Sequence, residues 1–166
     1  MDQINILVTD DEREIADLLE IYLVSRMDID VWKAYSAKKV FRFYRSMIFQ
    51  LAILDIMMPE MDGIEMCRQI RKFSNIPVIF LSAKSADLDK ILGLGCGADD
   101  YVTKPFSPLE LTARVKSQLR RYTEFNPDGV QKKDASEINF KYEGVCNQTR
   151  TNQPTVCYLV RWVKEN

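Results

Sequence analysis

No histidine occurs anywhere in the 166 residues. That absence removes Ser-His-Asp and Cys-His nucleophilic catalysis, histidine-ligated zinc and non-haem iron, and any imidazole base titrating near neutral pH. Carboxylates, lysine, hydroxyls and backbone must carry whatever chemistry the chain performs. Long apolar runs are missing as well: stretches such as LAIL and VIFL fall far short of the roughly 20 residues a membrane helix requires. The opening residues, MDQIN, have neither the basic nor the apolar region of a secretion signal, so a cytoplasmic protein is expected. Neither sign of charge predominates, with 23 basic against 24 acidic side chains and a formal net charge of −1; this leaves no footprint for nucleic acid or a membrane surface. The four cysteines, Cys67, Cys96, Cys146 and Cys157, include no C-x-x-C pair. They read as reduced packing residues rather than as a disulfide or zinc site.

What is present is alternation. From residue 4 to residue 122, the apolar runs INILVT, IDVWKA, LAIL, PVIFLS and DYVTK alternate with five segments of helical period. The helical segments are EREIADLLEIYLVSR, SAKKVFRFYRSM, DGIEMCRQIRKF, ADLDKILGLG and SPLELTARVKSQLRR. In the first of them Ile15, Leu18, Leu19, Tyr22 and Leu23 fall on one stripe, predicted to face a sheet. The last opens with Ser107, Pro108 and Glu110, a capping-box pattern with proline at the first helical position. Strands so uniformly apolar are buried on both faces, which points to a parallel sheet with right-handed crossovers: a doubly wound α/β domain. From Thr123 the texture changes. TEFNPDGVQKKDASE (123–137) reads as a linker, and the residues beyond it are too few to fold readily alone.

In such a sheet every strand points its carboxyl end to the same side, where ligands bind. Asp10 and Asp11 follow the first strand, Asp55 the third, Ser82 the fourth, and Thr103, Lys104 and Pro105 the fifth. Three carboxylates, a hydroxyl and an ammonium are therefore expected at one edge. Clustered acids repel unless a cation joins them. Mg2+, an oxygen-seeking ion that uses one or two carboxylates beside a phosphate, suits this set. An aspartate can itself accept a phosphoryl group, a transfer that asks mainly for positioning and positive charge.

VTDDE with Asp10 and Asp11, LDIMMPEMDG with Asp55, FLSAK with Ser82 and DDYVTKPF with Tyr101 and Lys104 together resemble the receiver domain of bacterial two-component response regulators. The resemblance covers residues 4–122. It implies the flavodoxin-like strand order 2-1-3-4-5 with five helices, and a phosphoacceptor at Asp55. It also implies Mg2+ bound by Asp10, Asp11, Asp55 and the Met57 carbonyl, with Lys104 on the phosphoryl group. Ser82 and Tyr101 would be the switch residues, and Lys104-Pro105 would be a cis peptide. The phosphoryl donor would be a separate sensor histidine kinase, which fits a chain with no histidine. Such a protein is a switch rather than an enzyme, with at most self-phosphorylation and self-dephosphorylation.

KILGLGCGADDYVTKPFSPLELTARVKSQLRR is similar to the OmpR/PhoB-type regulators, including the vancomycin-resistance subgroup. These dimerise on phosphorylation through a face built from the fourth helix, fifth strand and fifth helix. The matching ion pairs here would be Lys90 with Glu110, Asp100 with Arg114 and Asp99 with Arg121. In that family a winged-helix DNA-binding domain follows the linker. Residues 1–122 are thus expected to be the receiver, 123–137 the linker, and 138–166 a truncated or altered remnant of the effector domain. Six basic and six acidic side chains over 123–166 give no net charge, and DNA binding is not expected of this chain.

Two rival functions stand beside the switch. An aspartyl-nucleophile phosphohydrolase would place a second aspartate two residues after the first, where Met57 stands. A phosphate-independent interaction module would leave the acid pocket without a purpose. GLGCG (93–97) follows a helix and precedes a strand, the reverse of a dinucleotide-binding loop.

Overall fold

In the computed structural model, residues 3–83 and 95–125 are described. Five strands, β1 (Ile4–Thr9), β2 (Ile29–Ala34), β3 (Leu51–Asp55), β4 (Val78–Ser82) and β5 (Asp100–Thr103), form one parallel sheet in the order β2-β1-β3-β4-β5. The helices among these residues are α1 (Arg13–Val24), α2 (Ala37–Tyr44), α3 (Gly63–Arg71) and α4 (Pro108–Phe125). The further helix expected over ADLDKILGLG falls almost wholly outside the described residues, as do Lys90 and the segment 126–166. No helix among the described residues is long and apolar enough to cross a membrane.

The apolar runs become strands because they are enclosed. Every residue of β3 and β4 is buried, the pattern of central parallel strands covered on both faces. Their register sets Ala52 beside Val78, Asp55 beside Leu81, and Ser82 beside Thr103. On one side Ile6, Val8, Ile53, Ile79 and Leu81 of the sheet pack with Ala16, Leu19 and Leu23 of α1 and with Leu111, Val115 and Leu119 of α4. The α1 stripe is narrower than its sequence suggests. Leu19 and Leu23 are buried with Ala16, Ile15 and Tyr22 are partly covered, and Leu18 is exposed. Leu18 lies one residue, roughly 100°, around the helix from Leu19, and that rotation carries it off the sheet.

Helix starts follow local chemistry. Ser36 caps α2 by accepting from the Lys39 amide, and Asp62 caps α3 by accepting from the Glu65 amide at 2.7 Å. At α4 the Ser107 hydroxyl accepts from the Glu110 amide at 3.4 Å, half of the expected capping box. The Glu110 carboxylate instead takes two donors from Arg114, at 3.1 and 2.9 Å. Between α3 and β5, Arg71 acts as a polar staple. Its guanidinium donates to the carbonyl oxygens of Ile76 (2.6 Å) and Gly97 (2.9 and 2.7 Å) and to Asp99 (2.9 Å).

Candidate functional site

The edge formed by the carboxyl ends of β1, β3, β4 and β5 carries the expected groups. Asp55, the last residue of β3, is almost fully buried, and Asp10, the first residue after β1, is completely so. Backbone amides two residues on orient both: Glu12 N–H donates to Asp10 Oδ1 at 2.9 Å and Met57 N–H to Asp55 Oδ1 at 3.0 Å. Lys104, directly after β5, places its Nζ 2.8 Å from Asp10 Oδ2 and 2.9 Å from Asp55 Oδ2. One ammonium bridges two buried carboxylates. The peptide joining Lys104 to Pro105 is cis, as the resemblance implies.

The electrostatics follow from this geometry. Burial pushes the Asp10 carboxyl up, assisted by the nearby Asp55 charge and opposed by Lys104 and the Glu12 amide. Burial works against the Lys104 ammonium, but the Asp10 and Asp55 carboxylates outweigh it and hold the group above the ordinary lysine range. Carboxylate oxygens of Asp10, Asp11 and Asp55 all lie within 4.8 Å of one another, with Asp11 on the exposed side. Asp10 Oδ2 has the Lys104 ammonium at 2.8 Å and no other partner among the described residues. Three carboxylates gathered this closely, two of them buried and sharing a single ammonium, make an all-oxygen donor set that fits a hard divalent cation.

Ser82, at the end of β4, is fully buried, and its carbonyl accepts from the Lys104 amide at 2.8 Å. Tyr101 is partly buried in β5 and lines a cleft of about 280 Å³ together with Thr103, Pro105, Phe106, Glu110 and Arg114. The side chain of Met57 is half exposed at the mouth of the acid cluster.

The ion pairs expected between subunits sit differently within one chain. Arg114 Nη1 contacts both Asp100 oxygens at 3.0 Å and Nη2 contacts Glu110 at 2.9 Å, so Asp100 and Arg114 are partners inside the protomer. Within the chain Asp99 pairs with Arg71 and accepts from the Val78 amide at 2.8 Å; Arg121, expected to meet it from a second copy, is exposed and makes no ion pair among the described residues.

Three residues matter to the site that sequence reasoning passed over. Glu12 brings its carboxylate 3.3 Å from Lys104 Nζ; its place beside two other acids was the available signal. Gly63 opens α3 against the Asp55 backbone, where an added Cβ would lie 2.2 Å from the Asp55 carbonyl oxygen. Glycine at the start of a helix, where it has poor propensity, hinted at that close approach. Arg71 has no local signal, because its partners lie up to 28 residues away.

Comparison with known proteins gives a consistent answer. The response regulator receiver domain family matches residues 6–116. The chain is 46% identical over 154 residues to the regulatory protein VanR of Enterococcus faecium, covering 93% of this chain and 63% of that protein. It is 50% identical to VanRc of Enterococcus gallinarum over 73% of this chain and 52% of the relative. The chain therefore spans between about half and 63% of the length of these relatives. Among solved structures, the BeF3-activated DrrB receiver domain has a TM-score of 0.67 at 34% identity, covering 72% of this chain and 99% of that one. DrrB of Thermotoga maritima, described as an OmpR/PhoB homolog, has a TM-score of 0.66 at the same identity, over 72% of this chain and 54% of that one. With the sheet order, the acid cluster and the bridging lysine already in place, these likenesses identify the chain as a member of the response regulator receiver domain family.

Proposed function

We propose that this receiver is a phosphorylation-controlled switch in which Asp55 accepts a phosphoryl group from a sensor histidine kinase. The observation that carries this reading is the single Lys104 ammonium bridging Asp10 and Asp55, 2.8 and 2.9 Å away, in a cluster with Asp11. Asp10, Asp11, Asp55 and the Met57 carbonyl would hold Mg2+, which when bound supplies positive charge to the phosphoryl oxygens. Asp55 Oδ2 is the nucleophilic oxygen, and the Met57 amide on Oδ1 fixes the plane of the carboxylate. Attack forms an acyl phosphate, and the donor imidazole leaves. Lys104 then exchanges its contact with the Asp55 carboxylate for one with the incoming phosphoryl group, keeping an anionic partner throughout.

Phosphate at Asp55 would next recruit the Ser82 hydroxyl, and Tyr101 would turn inward beside it. The face of β5 and α4 would then associate with a second copy, drawing on Lys90, Asp99, Asp100, Glu110, Arg114 and Arg121. Because Arg114 already holds Asp100 and Glu110 within the chain, such a dimer exchanges intrachain ion pairs for intersubunit ones. The net gain per exposed pair is small, on the order of 1 kcal/mol or less, so buried apolar area must supply most of the association energy.

The test uses beryllofluoride, a phosphoryl mimic, with Mg2+. Binding is expected in the wild-type chain and is lost on Asp55→Ala, and light scattering of the bound form reads a doubled mass. Binding that survives Asp55→Ala would overturn the phosphoacceptor role; binding with no change in mass would overturn the dimer switch alone.

A further inference from the structure

Residues 95–97 belong to no part of the acid pocket, yet they bring two cysteines together. Cys67 on α3 is fully buried, and its Sγ lies 3.6 Å from the carbonyl oxygen of Cys96, 29 residues later. The Cys96 thiol is itself within hydrogen-bond reach of Cys67, neither is in a disulfide, and Cys96 is partly exposed. Arg71, one helical turn beyond Cys67, donates to the Gly97 carbonyl and to Asp99, which already ties this segment to α3. Glycines flank Cys96: a Cβ at Gly95 would meet nothing within 4 Å, and Gly97 has a φ of +93°. Gly97 thus takes a turn that other residues rarely adopt, and the Arg71 bonds to its carbonyl hold Cys96 against α3.

We propose that Cys67 and Cys96 are an oxidative modification site, in which a peroxide oxidises Cys96 and Cys67 resolves the product to a disulfide. In the first step the Cys96 sulfur attacks the peroxide O–O bond, becomes a sulfenic acid, and releases water. The Cys67 sulfur then attacks the sulfenyl sulfur, its proton leaves with the hydroxyl as a second water, and the S–S bond forms. Each peroxide molecule is reduced by the two electrons the thiols lose. The order of reaction follows from exposure: Cys96 is open to a small oxidant and Cys67 is not. Burial and the neighbouring Cys96 also push the Cys67 thiol up to about 12, which leaves it the less reactive of the two toward a free oxidant, so it enters only in the second, intramolecular step. The bridge would join α3 covalently to the segment entering β5, the strand that carries Asp100 and Tyr101.

The test treats the full chain with hydrogen peroxide, blocks remaining thiols, and maps the peptides by mass spectrometry. Its readout is a mass, independent of whether Asp55 accepts a phosphoryl group. A Cys67–Cys96 link with loss of two hydrogens, reversed by dithiothreitol and absent in Cys96→Ser, is the expected result. Cys67→Ala should instead stop Cys96 at the sulfenic acid, captured by dimedone. The assignment is overturned if oxidised wild type carries the dimedone adduct at Cys96 without the link, or if Cys96 is found bridged to Cys146 or Cys157. Since Cys96→Ser alters a partly exposed position, the result survives even if Cys67→Ala does not fold.

Discussion

Asp10 shows how a single side chain can be tuned for a ligand at the expense of the fold. Burial raises its proton affinity above the ordinary value of 3.8. For an acid whose folded-state value is raised, the associated stability is fully present below the unfolded value and is lost as pH rises through the folded one. Ionised Asp10 therefore weakens the metal-free fold at neutral pH. Asp10→Asn, measured in chelator by denaturant unfolding, is expected to raise stability at pH 7. That gain should shrink as pH falls toward 3.8, and a loss at pH 7 would contradict it. Tyr44 offers a second case. Its ring packs edge-on against Phe49 and Phe73, at 4.9 and 5.1 Å between centroids, but its hydroxyl is buried without a hydrogen-bond partner among the described residues. Tyr44→Phe keeps the packing and removes the orphaned group, so urea unfolding should show a gain of roughly 1 kcal/mol.

Elements constrain one another where backbones meet. The start of α3 is pressed against the end of β3: the Gly63 amide donates to the Ile56 carbonyl at 3.0 Å, and a Cβ on Gly63 would collide with the Asp55 carbonyl. Gly63→Ala would improve helix propensity by about 1 kcal/mol, yet a 2.2 Å contact with main chain cannot relax by turning a side chain. The clash wins, and a net loss of roughly 1–3 kcal/mol is expected, with weaker beryllofluoride binding because the displaced backbone is that of Asp55. Much at this scale was legible in the residues. Asp55 ends an apolar run, and Asp10 and Lys104 stand at equivalent strand ends, so parallel topology alone brings them together. What stayed hidden was which charges meet across long separations. Asp99 and Asp100 are adjacent in sequence, but one turns to Arg71 of α3 and the other to Arg114 of α4, a choice made by strand pleat and helix placement rather than by any local pattern. The α1 stripe erred for a related reason: a sequence shows that Leu18 is apolar, while the angle at which α1 meets the sheet decides that it stays outside.

For the molecule as a whole, the acid cluster links ligand binding to stability. A cation that binds the folded pocket and not the open chain stabilises by mass action, about 1.4 kcal/mol at tenfold excess over Kd. Thermal unfolding should therefore shift upward with added Mg2+, and the shift should disappear in Asp10→Asn combined with Asp55→Asn; an equal shift in that double variant would place the cation elsewhere. The ladder that seats Asp55 beside Leu81 and Ser82 beside Thr103 has one more implication. Side chains alternate between sheet faces with a period of two, so deleting one residue from β3 would drive its acid out of the pocket and invert the run of residues before it. Turns at the far end of the sheet carry no such penalty. Length changes in descendants of this gene should accumulate there, while the strands that frame the pocket keep their residue count.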